Sequence, residues 1–137
     1  MLYLKSMLNV IDNSGAMLVE CIKVLGKSPK NNARIGDRIV VVVQKARPIA
    51  NASAGGPGSN SGNSQKLRQG DIRHAVVVRT KQPTRRSDGS IIRFDDNACV
   101  LIGKSGDPIG SRVSGVVGKE LRDKGFNKIV ALAPRTV

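Results

Sequence analysis

Short apolar runs separated by turn-forming residues set the pattern of the first part of this chain. Residues 7–11 form one such run, which ends at Asp12-Asn13-Ser14-Gly15, a cluster that favours a turn because Asn and Gly tolerate positive φ. Residues 17–25 form a second run, and five consecutive β-branched residues at 39–43 form a third. Runs of this length predict strands, and the third run predicts a strand buried on both faces.

An uncharged low-complexity segment separates the third run from the next one. Residues 51–64 contain only Gly, Ser, Asn, Ala and Pro. Such a segment cannot bury enough surface to offset the entropy lost on ordering it, so we expect a flexible surface insertion at residues 51–65. The apolar runs 75–78 and 98–102 follow and predict two further strands.

The stretch between those two later runs is strongly basic. Residues 79–93 contain five cations against one acid, Asp88, and Ser87-Asp88-Gly89-Ser90 is typical of a hairpin turn. The sequence therefore predicts a basic β-hairpin that projects from the core, with too few acids to balance its charge. Its basic residues are Arg79, Lys81, Arg85, Arg86 and Arg93.

The spacing of apolar residues becomes helical near the C-terminus. Residues 117–124 predict a short helix with an i,i+4 pair between Glu120 and Lys124, and Gly125 is placed to cap its end. Residues 128–133 form a further apolar segment before Pro134.

Composition limits the classes of function that the chain can have. The 137 residues include 23 Lys+Arg and 10 Asp+Glu, a net charge of +13, and such a surplus indicates a polyanionic partner. Hydrophobic residues make up 39%, too many for a disordered basic tail. No apolar run is long enough to span a bilayer, so we expect no membrane span. Aromatic residues are only 2%, which favours phosphate contacts over base stacking if the partner is nucleic acid.

Isolated residues with catalytic or metal-binding chemistry do not form a recognisable site. Cys21 and Cys99 have no Cys-x-x-Cys spacing, and His74 has no partner for a triad, so we interpret all three as structural residues and expect no cofactor.

Two short motifs resemble functional sites but do not match them fully. Gly103-Lys104-Ser105 resembles the end of a phosphate-binding loop but lacks its first glycine, and Asp95-Asp96 would face opposite sides of an extended chain. We expect turns at both motifs.

Several separate motifs, in order along nearly the whole chain, resemble the universal large-subunit ribosomal protein family L-fourteen in its bacterial-type form. The insertion is the one segment outside this resemblance. The motifs include Asn9-Val10-Ile11-Asp12-Asn13-Ser14-Gly15-Ala16, Cys21-Ile22-Lys23-Val24-Leu25-Gly26, Arg85-Arg86-Ser87-Asp88-Gly89-Ser90, Ile92-Arg93-Phe94-Asp95-Asp96-Asn97-Ala98, Gly110-Ser111-Arg112-Val113 and Lys119-Glu120-Leu121-Arg122.

The resemblance implies a mainly β fold: a small closed five-stranded β-barrel with a protruding hairpin and a short C-terminal helical segment, all in one domain spanning residues 1–137. It implies a structural role in the large ribosomal subunit and no enzymatic activity. The implied partners are large-subunit ribosomal RNA, small-subunit RNA at intersubunit bridges, neighbouring ribosomal proteins and a ribosome-silencing factor that docks on the C-terminal surface.

Charge and the family resemblance together indicate which residues contact RNA and which contact the silencing factor. We expect the barrel to hold a set of cations against ribosomal RNA phosphates, while the family's contact positions for the silencing factor map onto three residues near the C-terminus. The RNA-binding set is Arg47, Lys66, Arg79, Lys81, Arg85, Arg86, Arg93, Lys119 and Arg122. The silencing-factor set is Ser111, Arg112 and Lys128.

The sequence departs from the family pattern at two places. The neutral insertion replaces a loop that is short and charged in the family, and Ser114-Gly115-Val116 replaces Phe-Gly-Pro. Bacterial-type motifs combined with a low-complexity insertion resemble a mitochondrial member, so we expect the mitochondrial ribosome, with the bacterial cytoplasm as the alternative.

Two other functions remain open at this stage. One is a free-standing RNA-binding β-barrel that acts as a regulator, and the other is a small nucleotide-binding enzyme built on Gly103-Lys104-Ser105. Composition alone does not separate these from the ribosomal hypothesis, whereas the series of motifs favours the ribosome.

Overall fold

The apolar runs in the first part of the sequence form strands whose side chains alternate between a buried and a more solvated face. The computed structural model describes residues 2–26, 32–47 and 67–137, so the expected insertion at 51–65 and Lys66 lie outside the described residues. In chain order, the elements are β1 (Met7–Val10), β2 (Ala16–Val24), β3 (Arg38–Ala46), β4 (Ile72–Arg79), β5 (Thr84–Arg85), β6 (Ile91–Ile92), β7 (Ala98–Ile102), β8 (Val116–Val117), α1 (Glu120–Asp123), α2 (Asn127–Leu132) and β9 (Arg135–Thr136).

The barrel closes between β1 and β7. β1 pairs with β2, β2 with β3, β3 with β4 and β4 with β7, all antiparallel. β7 then lies parallel to β1, with Asn9 opposite Ala98 and Val10 opposite Cys99. The mainly β fold with a closed five-stranded barrel is therefore confirmed.

Small and branched side chains fill the interior of the barrel. Val19, Val41 and Leu101 are completely buried there, each on a different strand. Cys21 and Cys99 belong to the same cluster as free thiols, and burial raises the pKa of both thiols. Thiols that stay protonated are poor nucleophiles and poor metal ligands, so the interpretation of both cysteines as core residues is confirmed.

A second apolar cluster lies outside the barrel, against β4 and β7. Val76, Val78 and Val100 point away from the barrel interior and pack with Leu121 of α1 and Ile129 of α2. The C-terminal helices thus cover the outer face of these two strands. As a result, all five residues of β7 are buried.

The prediction that residues 39–43 are buried on both faces is wrong. Ile39, Val41 and Val43 are buried, whereas Val40 and Val42 between them are only half-buried. The helices cover β4 and β7 but not β3, so the outer face of β3 remains partly solvated. β-branched residues suit a half-buried strand as well as a buried one, and the run of valines does not distinguish the two.

The predicted short helix and its cap are confirmed, but the helix begins only at Glu120 because Val117 lies in β8, and a second helix follows. Lys124 caps the C-terminal end of α1, and Gly125 continues the chain with φ of 88°, a conformation that glycine adopts without strain. The apolar segment at 128–133 lies largely within α2, for which the sequence alone indicated no element type.

Asp12 holds together the turn between β1 and β2 from a buried position. Its Oδ1 accepts hydrogen bonds from the backbone N–H of Ser14 at 3.1 Å and from the Ser14 hydroxyl at 2.5 Å. Its Oδ2 accepts the backbone N–H of Leu101 at 3.0 Å, which ties the turn to β7. Asp12 is only 6% exposed, so these bonds replace its hydration.

Replacing Asp12 with Ala should lower the free energy of unfolding by about 1–3 kcal/mol, because the buried N–H of Leu101 loses its acceptor. Urea denaturation measures the change. Asp88→Ala is the matched control, since Asp88 makes the same two bonds to Ser90 on the exposed hairpin turn. Equal losses in the two variants would contradict the role of the bond to Leu101.

The stability that Asp12 confers should also depend on pH. Burial raises the pKa of Asp12 above its ordinary value. The folded chain therefore still binds a proton at pH values where the unfolded chain has lost it, and stability falls as pH rises through the folded pKa. The free energy of unfolding of the wild type, relative to Asp12→Asn, should fall as pH is raised from about 4. A rise over this range would show that the hydrogen bonds lower the pKa of Asp12 by more than burial raises it.

Candidate nucleic-acid interface

The predicted basic hairpin exists as a small sheet of its own. β5 and β6 pair antiparallel over two residue pairs, Thr84 with Ile92 and Arg85 with Ile91, and this sheet is separate from the barrel. The backbone N–H of Arg86 donates to the carbonyl of Ser90 at 2.8 Å and closes the turn. The hairpin is therefore a projection from the end of the barrel where β4 finishes and β7 begins.

Asp88 stabilises the tip of this hairpin. Its Oδ1 accepts both the backbone N–H and the hydroxyl of Ser90, and these bonds lower the pKa of its carboxyl group. The single acid of the hairpin is thus engaged by the turn itself.

Three cations of the hairpin project into solvent. Lys81, Arg85 and Arg93 are exposed, and no acid contacts them within the described parts of the chain. The backbone N–H of Lys81 donates to Oδ1 of Asn97 at 2.8 Å, which fixes the main chain at the base of the hairpin. These three side chains are therefore available to contact a polyanion.

The other two cations of the hairpin are already paired, so the expectation that its charge is unbalanced is wrong in part. Arg79 lies 3.4 Å from Asp96, and Arg86 lies 2.5 Å from Glu120. Glu120 is 34 positions away from Arg86, beyond the reach of a local charge count. The guanidinium of Arg86 is mostly buried, and its contact with RNA remains a prediction.

The predicted pair between Glu120 and Lys124 on α1 is wrong for the same reason. Glu120 turns to Arg86, while Nζ of Lys124 lies 4.0 Å from Asp37. The cations that α1 offers to solvent are its flanking Lys119 and its own Arg122, both exposed.

Lys119 joins the hairpin in one groove. Arg85, Arg86 and Lys119 line it together with Glu120 and Asp123, so the hairpin tip and the start of α1 form one mixed-charge concavity. The structure thus brings together predicted contact residues that lie more than 30 positions apart in the sequence.

Arg47 lies at the other end of the barrel. It follows β3, and its backbone N–H donates to the carbonyl of Gly15 at 2.7 Å. Lys45 and Arg68 line a shallow groove with it. Sequence reasoning did not nominate Lys45. Lys45 lies just after the apolar run at 39–43, near the end of a predicted strand. Strand ends at one rim of a barrel lie close together, so this position could have indicated that Lys45 lies near Arg47.

The three residues assigned to a silencing factor lie in two places. Asn13 clamps Ser111 and Arg112, because its Oδ1 accepts both of their backbone N–H groups, at 2.7 and 3.1 Å. Lys128 lies in a different groove, where its Nζ is 2.5 Å from Asp107. All three side chains are exposed.

The segment 112–115 connects the two ends of the barrel. Arg112 lines a groove with Arg47, and Gly115 lies against the guanidinium of Arg79, so close that a Cβ there would be 3.2 Å from Nη1. Gly115 also has φ of 80°, which favours glycine. The basic residues at the two ends are thus linked by one stretch of backbone along the barrel.

The remaining candidate motifs are structural. Gly103-Lys104-Ser105 forms a turn in which the N–H of Gly106 donates to Gly103 at 3.0 Å, and a helix begins only at Glu120. Asp96 accepts bonds from Arg79 and Asn9.

His74 lies within β4, as expected of a strand residue. Among the described residues, no three acids, histidines or cysteines cluster as metal ligands, and neither helix is long and apolar enough to cross a membrane.

Sequence comparison relates this chain to one family of known proteins. The family model for ribosomal protein L14p/L23e matches residues 1–137. The chain is 62% identical over 134 residues to the large ribosomal subunit protein uL14m of Neurospora crassa, covering 98% of both chains. It is 51% identical over 139 aligned positions to the protein of the same name from Schizosaccharomyces pombe, covering all of both.

Gly118 makes room for the pair of Arg86 and Glu120, and Gly118→Ala tests this. A Cβ at Gly118 would come within 2.7 Å of Oε2 of Glu120 and 2.9 Å of Cγ2 of Ile35. We expect a loss of about 1–3 kcal/mol in the free energy of unfolding, as for other overpacked sites.

Gly103→Ala is the matched control for this prediction, because its nearest neighbour would be 3.8 Å away and its φ is not positive. Thermal or urea denaturation measures both variants. A loss in Gly118→Ala no larger than that in Gly103→Ala would show that the site tolerates the methyl group.

Proposed function

Because the chain belongs to the ribosomal protein L14p/L23e family and is a structural constituent of the large ribosomal subunit, we propose that it binds the RNA of that subunit mainly through phosphate contacts. Its role is architectural, since the family is a structural component and not an enzyme. The proposed contacts combine the hairpin, the surroundings of α1 and the Arg47 end of the barrel.

The observation that carries this proposal is the set of exposed hairpin cations. Lys81, Arg85 and Arg93 lie on a projection that buries little apolar surface, and no acid neutralises them within the described residues. Like charges held on so short an element repel one another, and RNA phosphates offset that repulsion. The net charge of +13 extends the same argument to the whole chain.

The aromatic residues support phosphate contacts over base reading. Tyr3 is 53% exposed, whereas Phe94 and Phe126 are half-buried in the fold. Proteins that read single-stranded bases stack them on several exposed rings. With few rings on its surface, this chain recognises RNA by its charge and shape.

The chain works in the mitochondrial ribosome. Both fungal relatives carry the name uL14m, in which the final letter marks the mitochondrial form, and both match this chain over essentially its whole length. The match of the family model to residues 1–137 supports a single domain.

Two finer roles are part of the proposal. At the face between the subunits, the exposed cations also contact small-subunit RNA. A silencing factor binds the C-terminal surface at Ser111, Arg112 and Lys128. The first two are exposed and held by Asn13, which supports a preformed contact, and Lys128 contributes from the neighbouring groove.

Arg85→Ala should weaken binding to a large-subunit RNA fragment and reduce the slope of log Kd against log salt by about one, the loss of one phosphate contact. A salt titration of binding measures the slope. Lys104→Ala removes the same charge from an exposed turn outside the proposed surface, and it should leave the slope unchanged. Equal slopes in wild type and Arg85→Ala would remove Arg85 from the interface.

Sedimentation distinguishes a subunit component from a free regulator. The chain should remain with the large subunit on gradients run at high salt, because many contacts hold it within the particle. Release into the light fractions, under conditions in which other large-subunit proteins stay bound, would favour the regulator.

A further inference from the structure

The hairpin is too small to hold its own position. Its sheet contains two residue pairs and is separate from the barrel, and Ile91 within it is 67% exposed. Two-stranded hairpins with so little buried apolar surface are marginal in water. Contacts outside the sheet must therefore fix the hairpin relative to the barrel.

One set of such contacts lies at the base of the hairpin. The hydroxyl of Thr80, which is 1% exposed, lies 3.0 Å from the carbonyl of Gln82 and 3.3 Å from the hydroxyl of Thr84. The backbone N–H of Phe94 donates to the carbonyl of Thr80 at 3.1 Å. The bond from Phe94 joins the two legs of the hairpin at its base, the Thr80 hydroxyl makes contacts within the first leg, and none of these bonds reaches the tip.

Arg86 supplies the contact near the tip. Its Nε donates to Oε1 of Glu120 at 2.5 Å, and its Nη2 reaches Oε2 at 3.5 Å, so the two side chains meet as a fork. Nη2 also donates to the main-chain oxygen of Val137 at 2.5 Å. Arg86 and Glu120 are only 14% and 20% exposed, and solvent screens their pairing less than it screens a surface pair.

The two groups that Arg86 contacts, Glu120 and the main-chain oxygen of Val137, are themselves held in place by the fold. Glu120 begins α1, whose Leu121 is completely buried against the outer faces of β4 and β7. The oxygen of Val137 also accepts the backbone N–H of Lys119 at 3.0 Å, and the N–H of Val137 donates to Val117. Arg86 therefore joins the small hairpin sheet to a well-packed element.

We propose that Arg86 is a positioning residue: by binding Glu120 and the main-chain oxygen of Val137, it holds the hairpin at the angle at which Lys81, Arg85 and Arg93 meet RNA. We call the contact of the Arg86 side chain with Glu120 and the main-chain oxygen of Val137 the Arg86 anchor. In this proposal Arg86 does not neutralise a phosphate, because its Nε and Nη2 are already engaged by Glu120 and Val137. This inference rests on the proposed RNA binding only for its effect on affinity, since the anchoring can be measured without RNA.

Glu120→Gln separates this proposal from simple charge effects. The substitution removes a negative charge close to the proposed interface, so attraction to phosphates alone predicts tighter RNA binding. Loss of the anchor predicts weaker binding, because the hairpin cations must then be ordered when RNA binds. We expect Kd for a large-subunit RNA fragment to rise by about threefold to tenfold, with the salt slope unchanged.

Asp107→Asn is the matched control for that measurement. Asp107 forms an equally short pair with Lys128, at 2.5 Å, and its removal changes the net charge by the same amount without touching the hairpin. We expect RNA affinity in this variant to be unchanged or slightly tighter. Tighter binding in both variants would overturn the positioning role.

Hydrogen exchange in the free protein tests the anchor directly. In Arg86→Ala and Glu120→Gln, the amide of Phe94 should exchange about tenfold faster, which corresponds to about 1.4 kcal/mol of lost protection. The amide of Val77, which donates to Asp37 at the barrel, serves as the reference and should not change. Unchanged exchange at Phe94 in both variants would overturn the anchor.

Two further results complete the test. The double variant Arg86→Ala with Glu120→Gln should exchange no faster than Arg86→Ala alone, because both changes break one contact, and additive effects would contradict the pairing. Arg86→Ala should keep the wild-type salt slope, and a decrease of about one would instead assign Arg86 to a phosphate. If Arg85→Ala leaves RNA binding unaffected, the RNA contact proposed for Arg85 fails, while the exchange data still decide the anchor.

Discussion

Burial on both faces, at residues 75–78 of β4 and along all of β7, is the constraint on which the rest of the structure depends. On one side these strands close the barrel over Val77 and Leu101, and on the other they support α1 and α2 through Val76 and Val100. The wall they form is therefore shared by two apolar cores. The hairpin leaves from one end of this wall and the C-terminal elements pack across it, so the position of each depends on the same two strands.

The sequence predicts the strands well because period-two burial and turn residues are local properties. The runs at 7–11, 17–25, 75–78 and 98–102 all became strands with ends shifted by at most a few residues. The burial of individual faces was harder to infer. Whether a valine run is covered on one side or both depends on elements far along the chain, and this is why the prediction failed for residues 39–43.

The candidate interface was predictable in its composition but not in its partners. A cluster of arginines between two strands is visible in the sequence, whereas the acids that engage Arg79 and Arg86 come from Asp96 and Glu120. Counting charges within a window cannot find a carboxylate that only folding brings near. The structure thus divides one basic cluster into cations held by protein and cations open to solvent.

The parallel pairing of β1 with β7 has a consequence for how this chain reaches its native state. Asp12 and Leu101, which bond across that seam, are 89 positions apart. Contacts of such long range form slowly, because a large loop must be closed before they contribute. Until β7 is in place, β1 and β4 each present an unpaired edge, and exposed strand edges are templates for aggregation. The last barrel strand to be synthesised therefore protects the first one.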